Sequence, residues 1–146
     1  MSVSASIDIK LTVRNGIISK VTLIQKLLDF GWTFNDSGKI TYLPIGDEDK
    51  FDWQSENISV DMLLMILREK VQRDELLGIV MTWKGTGVGG NILLKKTDEL
   101  TFCLTINRRT ISGSNVTDVN WYLVKLLPAF SQSDSTVESF SYEEHV

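Results

Sequence analysis

The fold is decided by residues 77–106, which read LGIVMTWKGTGVGGNILLKKTDELTFCLTI. Two parts of this stretch alternate apolar with polar or small residues, the first at Leu77, Ile79, Met81 and Trp83, the second at Leu100, Phe102, Leu104 and Ile106. A period of two is typical of strands that cover a core with one face. A glycine-rich turn over 84–90 leads into a returning strand at 92–95. The stretch therefore predicts an antiparallel meander of three strands.

Upstream, the chain predicts a strand and a capped helix. The strand alternates at Ile7, Ile9, Leu11 and Val13 and ends at the turn residues Asn15-Gly16. From Ser19 onward the apolar residues recur at helical spacing, and Gly31 stands where a glycine ends a helix. Residues 32–34 and 39–43 flank Asn35-Asp36-Ser37-Gly38, which predicts a hairpin.

A second helix is predicted to begin after Ser59, with Asp61 in its first turn. Its apolar face holds Val60, Leu63, Leu64, Leu67 and Val71. Met62 and Met65 widen this face, and we expect them in the core because methionine commonly fills gaps there.

The end of the chain predicts a third helix and a strand. Val119, Tyr122, Leu123 and Leu126 lie at helical spacing, and we expect the helix to end close to Pro128. Residues 131–136 are predicted to be a loop, and Phe140 and Tyr142 alternate with serines as in an edge strand. The order of elements predicts a single α+β domain over 1–146, with about three helices packed on an antiparallel or mixed sheet.

Acidic residues are concentrated in residues 46–61, GDEDKFDWQSENISVD, where six carboxylates accompany one lysine. The net charge of the whole chain is only −4, and the end after Lys125 is also acidic, so the rest of the chain is basic. Carboxylates mixed with Phe51 and Trp53 suit a surface that meets a basic partner, because the charges steer the encounter and the rings supply anchors.

Other interpretations of this acidic segment stay open. It could be a solvated loop without function, because charge runs usually face water. It could collect a hard cation, although it lacks the ligand ladder, glycine and final glutamate of an EF-hand loop. A separate basic patch of Lys84, Lys95, Lys96, Arg108 and Arg109 could bind nucleic acid, but the pI near 5.0 argues against it.

The sequence has few side chains suited to catalysis, so we expect that the protein is not an enzyme and that it binds no cofactor and no metal ion. His145 is the only histidine and stands next to the C-terminus. Cys103 is the only cysteine and lies in a predicted strand. The glycines of 85–90 precede a strand rather than the helix that a phosphate loop requires.

The chain is expected to be a cytosolic protein that binds neither membrane nor nucleic acid. Its start, MSVSASIDIK, lacks the basic and apolar regions of a secretory leader, and no apolar run is long enough to cross a bilayer. A single cysteine agrees with a reducing compartment.

Three stretches of the second half of the chain carry a family resemblance: GIVMTWKGTGVGGNILL, INRRTISGSNVTDVNWYLVKLLPAF and the tail VESFSYEEHV. Through them the second half of the chain resembles immunity proteins of bacterial toxin systems such as contact-dependent growth inhibition. It implies a small bacterial protein that binds one cognate toxin, in many systems a nuclease, and blocks its active site.

Together, these observations predict a non-enzymatic toxin inhibitor. The first predicted interface is Asp47, Glu48, Asp49, Asp52 and Trp53, because an acidic loop can compete with nucleic acid for a basic groove. The second is Glu143 and Glu144. The alternative is a small-molecule sensor or enzyme domain with a pocket between the sheet and the second helix.

Overall fold

The computed structural model describes residues 3–14, 18–34 and 38–145, and these residues form three helices and eight strands. The helices are α1 Lys20–Phe30, α2 Val60–Gln72 and α3 Val119–Phe130. The strands are β1 Ser4–Val13, β2 Trp32–Thr33, β3 Ile40–Tyr42, β4 Gln54–Glu56, β5 Leu77–Trp83, β6 Gly89–Lys96, β7 Glu99–Ile106 and β8 Ser135–His145.

All strand pairings between the described residues are antiparallel. The order across the sheet is β4-β3-β5-β6-β7-β1-β8, and β2 pairs with β5 beside this path. The predicted α+β class is confirmed, and the sheet is antiparallel rather than mixed. The C-terminal segment is the predicted edge strand, which pairs with β1 along its length.

The meander β5-β6-β7 is confirmed, and two glycines explain how its strands approach each other. A Cβ atom on Gly89 would lie 2.0 Å from the Met81 carbonyl oxygen, and one on Gly90 would lie 1.7 Å from the Cys103 oxygen. Only glycine fits where backbones come this close. The glycine-rich segment therefore joins two strands, as the sequence predicted, and serves the packing of the sheet.

The hairpin predicted over 32–43 is wrong. Strands β2 and β3 do not pair with each other but lie one after the other along the same edge of β5, with Trp32 opposite Trp83 and Tyr42 opposite Ile79. Each strand is satisfied by β5, so the chain between them does not need to reverse. The predicted turn residues 35–37, like Asn15 and Gly16, lie outside the described residues.

The helix boundaries follow the predicted caps. The Ser19 hydroxyl accepts a hydrogen bond from the Thr22 amide at 3.2 Å, and Gly31 ends α1 with a φ of 116°. The Ser59 hydroxyl accepts from the Met62 amide at 3.1 Å. Helix α3 continues two residues beyond Pro128, to Phe130, because proline in the last turn removes only one amide from the helix.

The three helices lie on one face of the sheet, with α1 in contact with both α2 and α3. The core between the layers holds alternate residues of the central strands together with Trp32, Tyr122 and Phe130, which are fully buried. Among the described residues, no helix is long and apolar enough to span a membrane.

The expectation that Met62 and Met65 lie in the core is wrong. Their side chains are 50% and 65% exposed, whereas Leu63 and Leu67 on the same helix are fully buried. Helix α2 packs against α1 and the sheet on one side only. The opposite face of the helix, which carries Met62 and Met65, is therefore exposed.

Candidate protein-binding surface at the acidic loop

The acidic loop, residues 43–53, joins β3 to β4 at the end of the sheet where β5 begins. Its two ends are fixed on Gly78, whose missing side chain leaves room for them. A Cβ atom on Gly78 would lie 2.5 Å from Leu43 Cδ1 and 2.9 Å from Trp53 Cη2. Because Leu77 and Ile79 face the helices, Gly78 faces the other side of the sheet. The side chains of Leu43 and Trp53 therefore pack on the sheet face opposite the helices.

Asp47 organises the acidic loop from within. It is only 7% exposed, and its two carboxylate oxygens accept hydrogen bonds from the Phe51 amide at 3.0 Å and the Asp52 amide at 2.9 Å. Its carbonyl accepts from the Lys50 amide at 3.1 Å. A carboxylate that holds backbone amides in this way fixes the turn, as it does at a helix start.

Three residues of the acidic loop have the left-handed backbone conformation, with positive φ, which residues other than glycine rarely adopt. The φ angles are 53° at Glu48, 57° at Asp49 and 55° at Phe51. For a bulky residue such as Phe51 this conformation costs about 1 kcal/mol or more. Phe51 is nevertheless 48% exposed, so its own burial does not compensate for the strain. Such strain occurs at functional sites more often than elsewhere.

A buried lysine supports the acidic loop from the C-terminal end of α2. Lys70 is 1% exposed, and its Nζ donates to the Pro44 carbonyl at 2.7 Å and lies 3.5 Å from Glu75 Oε1. Glu75 also accepts from the Gly46 amide at 2.8 Å and pairs with Arg73 at 2.9 Å. Burial lowers the pKa of Lys70, and the carboxylate of Glu75 opposes this shift. This network holds the start of the acidic loop against the helix.

An open cleft of about 480 Å³ lies between the acidic loop and the turn that follows α2. It is lined mainly by charged groups, among them Asp49, Lys70, Asp74, Lys95 and Lys96. The alternative predicted from the sequence places a pocket between the sheet and α2, where the side chains of Leu63 and Leu67 are packed in the core. The cleft lies instead beyond the end of that helix.

The five loop residues of the first predicted interface fall into three groups. Glu48, Asp49 and Asp52 are exposed, Trp53 is half-buried against Gly78, and Asp47 is buried. The exposed acids are accessible to a partner, Glu48 with its Oε2 3.7 Å from Lys50 Nζ, while Asp47 and Trp53 support the loop. Phe51 is the exposed aromatic of the acidic loop, a role that the sequence pattern did not distinguish from that of Trp53.

The second predicted interface, Glu143 and Glu144, lies on strand β8. Glu143 is exposed, with Oε2 3.5 Å from His145 Nε2. Glu144 faces inward, where it accepts from the Thr117 hydroxyl at 2.5 Å and from the Tyr142 hydroxyl. These hydrogen bonds, the first above all, lower the pKa of Glu144. Glu144 therefore ties the loop before α3 to the edge strand.

The two predicted interfaces do not form one surface. The acidic loop follows β3 near one edge of the sheet, and β8 is the opposite edge, five strand spacings away. At the usual spacing between strands this is about 24 Å across the sheet. The predicted basic patch is also divided, but along the strands, because Lys95 and Lys96 end β6 and Lys84 precedes its start.

Cys103, one of the few side chains with possible catalytic chemistry, lies in an environment that makes its thiol unreactive. Burial, assisted by the Asp8 carboxylate, raises the pKa of the half-buried Cys103 thiol, which favours the unreactive protonated form. Within residues 3–14, 18–34 and 38–145, histidine, cysteine and acidic side chains form no group of three that could hold a metal ion.

Comparison of the chain with models of known protein families, with curated proteins and with solved structures finds no match.

Proposed function

We propose that this protein is an immunity protein, which binds a cognate bacterial toxin in the cytoplasm and blocks its active site. The observation that carries the proposal is a rigid acidic loop that presents Phe51 together with three exposed carboxylates, Glu48, Asp49 and Asp52. The resemblance of residues 78–146 to immunity proteins supports the same role.

The construction of the acidic loop supports tight binding. Asp47, Lys70 and Glu75 fix its backbone before a partner arrives, so little conformational entropy is lost on association. An exposed aromatic ring among charges is a common anchor of protein interfaces. The carboxylates suit a basic groove, such as that of a nuclease, where they would occupy the positions of nucleic-acid phosphates.

Capture of the partner tests the proposal. The tagged protein is incubated with a lysate of its own source and with the product of the neighbouring gene, and bound proteins are identified by mass spectrometry. We expect one stoichiometric partner that is released at high salt and that loses its toxic activity in the complex. Recovery of no partner, under conditions that recover a known toxin pair, would contradict the proposal.

A charge-matched pair of variants tests the role of the acidic loop. Glu48→Lys/Asp49→Lys/Asp52→Lys should abolish capture, because three steering charges are reversed. The control Asp29→Lys/Glu69→Lys/Glu138→Lys changes the net charge equally at exposed acids elsewhere and should capture normally. Equal capture by both variants would place the interface away from the acidic loop.

A second candidate function is a small-molecule sensor that uses the cleft beside the acidic loop. Five acids and three lysines line this cleft, so a ligand that carries both an anionic and a cationic group would suit it. A metabolite screen by thermal shift tests this function, since a ligand of the native state raises the melting temperature. A stabilising ligand whose effect is lost in Lys95→Gln/Lys96→Gln would support the sensor, and a screen without hits would leave the immunity function as the better account.

A further inference from the structure

Three cations and two tryptophan rings alternate on the surface at the other end of β5. This cation–tryptophan strip consists of Lys84, Trp83, Lys125, Trp121 and Arg109. The Nζ atoms of Lys84 and Lys125 lie 5.7 Å and 5.6 Å from the Trp83 ring centroid. The Trp121 centroid lies 4.3 Å from Lys125 Nζ and 5.6 Å from Arg109 Cζ. Each cation is thus within the distance at which ring and charge attract.

The framework beneath the strip is rigid. Trp83 packs edge-on against the buried ring of Trp32, at 5.4 Å between centroids, and Trp32 Nε1 donates to the Lys125 carbonyl at 2.9 Å. The Arg109 amide donates to the Tyr122 hydroxyl at 2.8 Å. Trp121 and Lys125 are four residues apart on α3, so they share one face of the helix.

Within the described residues, none of the three cations forms an ion pair with a carboxylate. Asp118, the acid nearest along the chain to both Arg109 and Lys125, caps α3 by accepting from the Trp121 amide at 3.3 Å, and Glu144 lies 3.7 Å from the neighbouring Arg108. In a chain with four more acids than bases, cations that are ordered by rings instead of acids are available to an external anion.

We propose that the cation–tryptophan strip binds an acidic segment of a protein partner. The rings hold the three side chains in place, which lowers the entropy lost on binding, and the charged heads keep donors for carboxylates. A nucleic acid fits less well, because bases need free ring faces for stacking and the cations occupy positions over both rings. The proposal is independent of the acidic loop, which lies at the opposite end of β5.

Fluorescence anisotropy with a labelled octaglutamate peptide tests the proposal on the full chain. We expect the wild-type protein to bind this probe and Lys84→Gln/Arg109→Gln/Lys125→Gln to bind it about tenfold or more weakly, since three favourable charges are lost. The control Lys10→Gln/Lys39→Gln/Arg68→Gln removes three exposed cations elsewhere and should bind like the wild type. If the triple variant does not fold, the double variant Lys84→Gln/Arg109→Gln is measured instead. It keeps Lys125 in contact with Trp83 and Trp121.

Several outcomes would overturn the proposal. They are absence of peptide binding by the wild type, equal loss of affinity in the strip variant and the control, and tighter binding of an eight-residue oligothymidylate that displaces the peptide. A Lys84→Arg/Lys125→Arg variant should retain the affinity, because arginine keeps both the charge and the ring contact. A shift of tryptophan emission on peptide binding should accompany the wild-type titration and be absent in the strip variant.

Discussion

The two ends of β5 carry opposite charges and are built by different means. At the start of β5, the acidic loop is held by a buried carboxylate, a buried lysine and three left-handed residues. At the end of β5, the cation–tryptophan strip holds its charges against tryptophan rings, without carboxylate partners in the described chain. The first region fixes a backbone, and the second fixes side chains on an existing framework.

The two surfaces should therefore respond differently to substitution. The acidic loop depends on a few buried polar contacts, so the loss of one should affect both stability and binding. The strip rests on hydrophobic packing, so the loss of a charge should affect binding and leave the fold almost unchanged. Five measurements test this contrast.

The largest effect is expected from Glu75→Ala. This change leaves the buried ammonium of Lys70 without its carboxylate and should lower the free energy of unfolding by about 3 kcal/mol, with a fall in Tm of roughly 9 °C. Urea denaturation measures the change. Glu69→Ala, an exposed acid on the same helix, should cost less than about 0.5 kcal/mol. Equal costs would show that Lys70 and Glu75 do not hold the acidic loop.

Asp47→Ala should cost about 2 kcal/mol, because two backbone amides lose a charged acceptor. The same denaturation experiment measures it, and Asp52→Ala serves as the exposed control. Since the loop loses its internal brace, hydrogen exchange at the amides of Phe51 and Asp52 should also accelerate. Unchanged exchange would mean that Asp47 is not the organising residue.

Phe51→Gly should raise the free energy of unfolding by about 0.5 kcal/mol, because glycine adopts a left-handed conformation without strain. It should also weaken capture of the partner, since the exposed anchor is removed. The control Phe140→Gly removes a ring of similar exposure, 49%, from a strand and should destabilise the protein by about 1 kcal/mol. A loss of stability in Phe51→Gly would refute the strained conformation.

Lys125→Gln tests the strip. It removes one cation from two rings and should cost about 0.5 kcal/mol, while the tryptophan emission spectrum changes. Lys96→Gln should alter neither the stability nor the spectrum. A loss of stability close to that of Glu75→Ala would contradict the difference between the acidic loop and the strip.

The smallest expected change is a slope of stability with pH. Because burial lowers the pKa of Lys70 in the folded state below 10.5, the unfolded chain binds more protons between the two values. The free energy of unfolding should therefore rise with pH between the folded and the unfolded pKa of Lys70. At neutral pH it is lower, because the charged lysine is buried. Denaturation of the wild type and Lys70→Met across this range should show a shallower rise in the variant. Parallel curves would contradict the shift.

Most of the fold could be predicted because local patterns and tertiary pairing agree. The meander, the caps Ser19, Gly31 and Ser59, and the C-terminal edge strand are examples. The hairpin over 32–43 failed because its two arms each pair with β5, and β5 is more than thirty residues away in the sequence. Turn residues show where a chain can reverse, but they do not show which strand satisfies its hydrogen bonds.

The candidate site could be predicted in composition but not in the roles of its residues. A run of acids indicates a charged loop, yet burial separates Asp47 from its neighbours only after the loop folds. Trp53 and Phe51 look equivalent in the sequence, and the space above Gly78 decides which of them is covered. Met62 and Met65 failed as core residues because the width of an apolar stripe does not show how many layers cover the helix.

The cation–tryptophan strip could not be predicted, because its members come from β5, the turn after it, the segment before α3, and α3 itself. The basic residues of the meander indicated only an excess of positive charge. The structure divides them between the two ends of the sheet and brings Lys125 into the group at one end.

The salt dependence of affinity measures whether the acidic loop carries the electrostatic contact with a toxin. Calorimetric titrations of the captured partner would compare the wild type with Glu48→Lys/Asp49→Lys/Asp52→Lys over a range of salt concentrations. We expect a wild-type affinity that falls steeply with salt and a variant affinity that is much weaker and nearly independent of salt. An unchanged affinity and an unchanged salt slope in the variant would contradict this expectation.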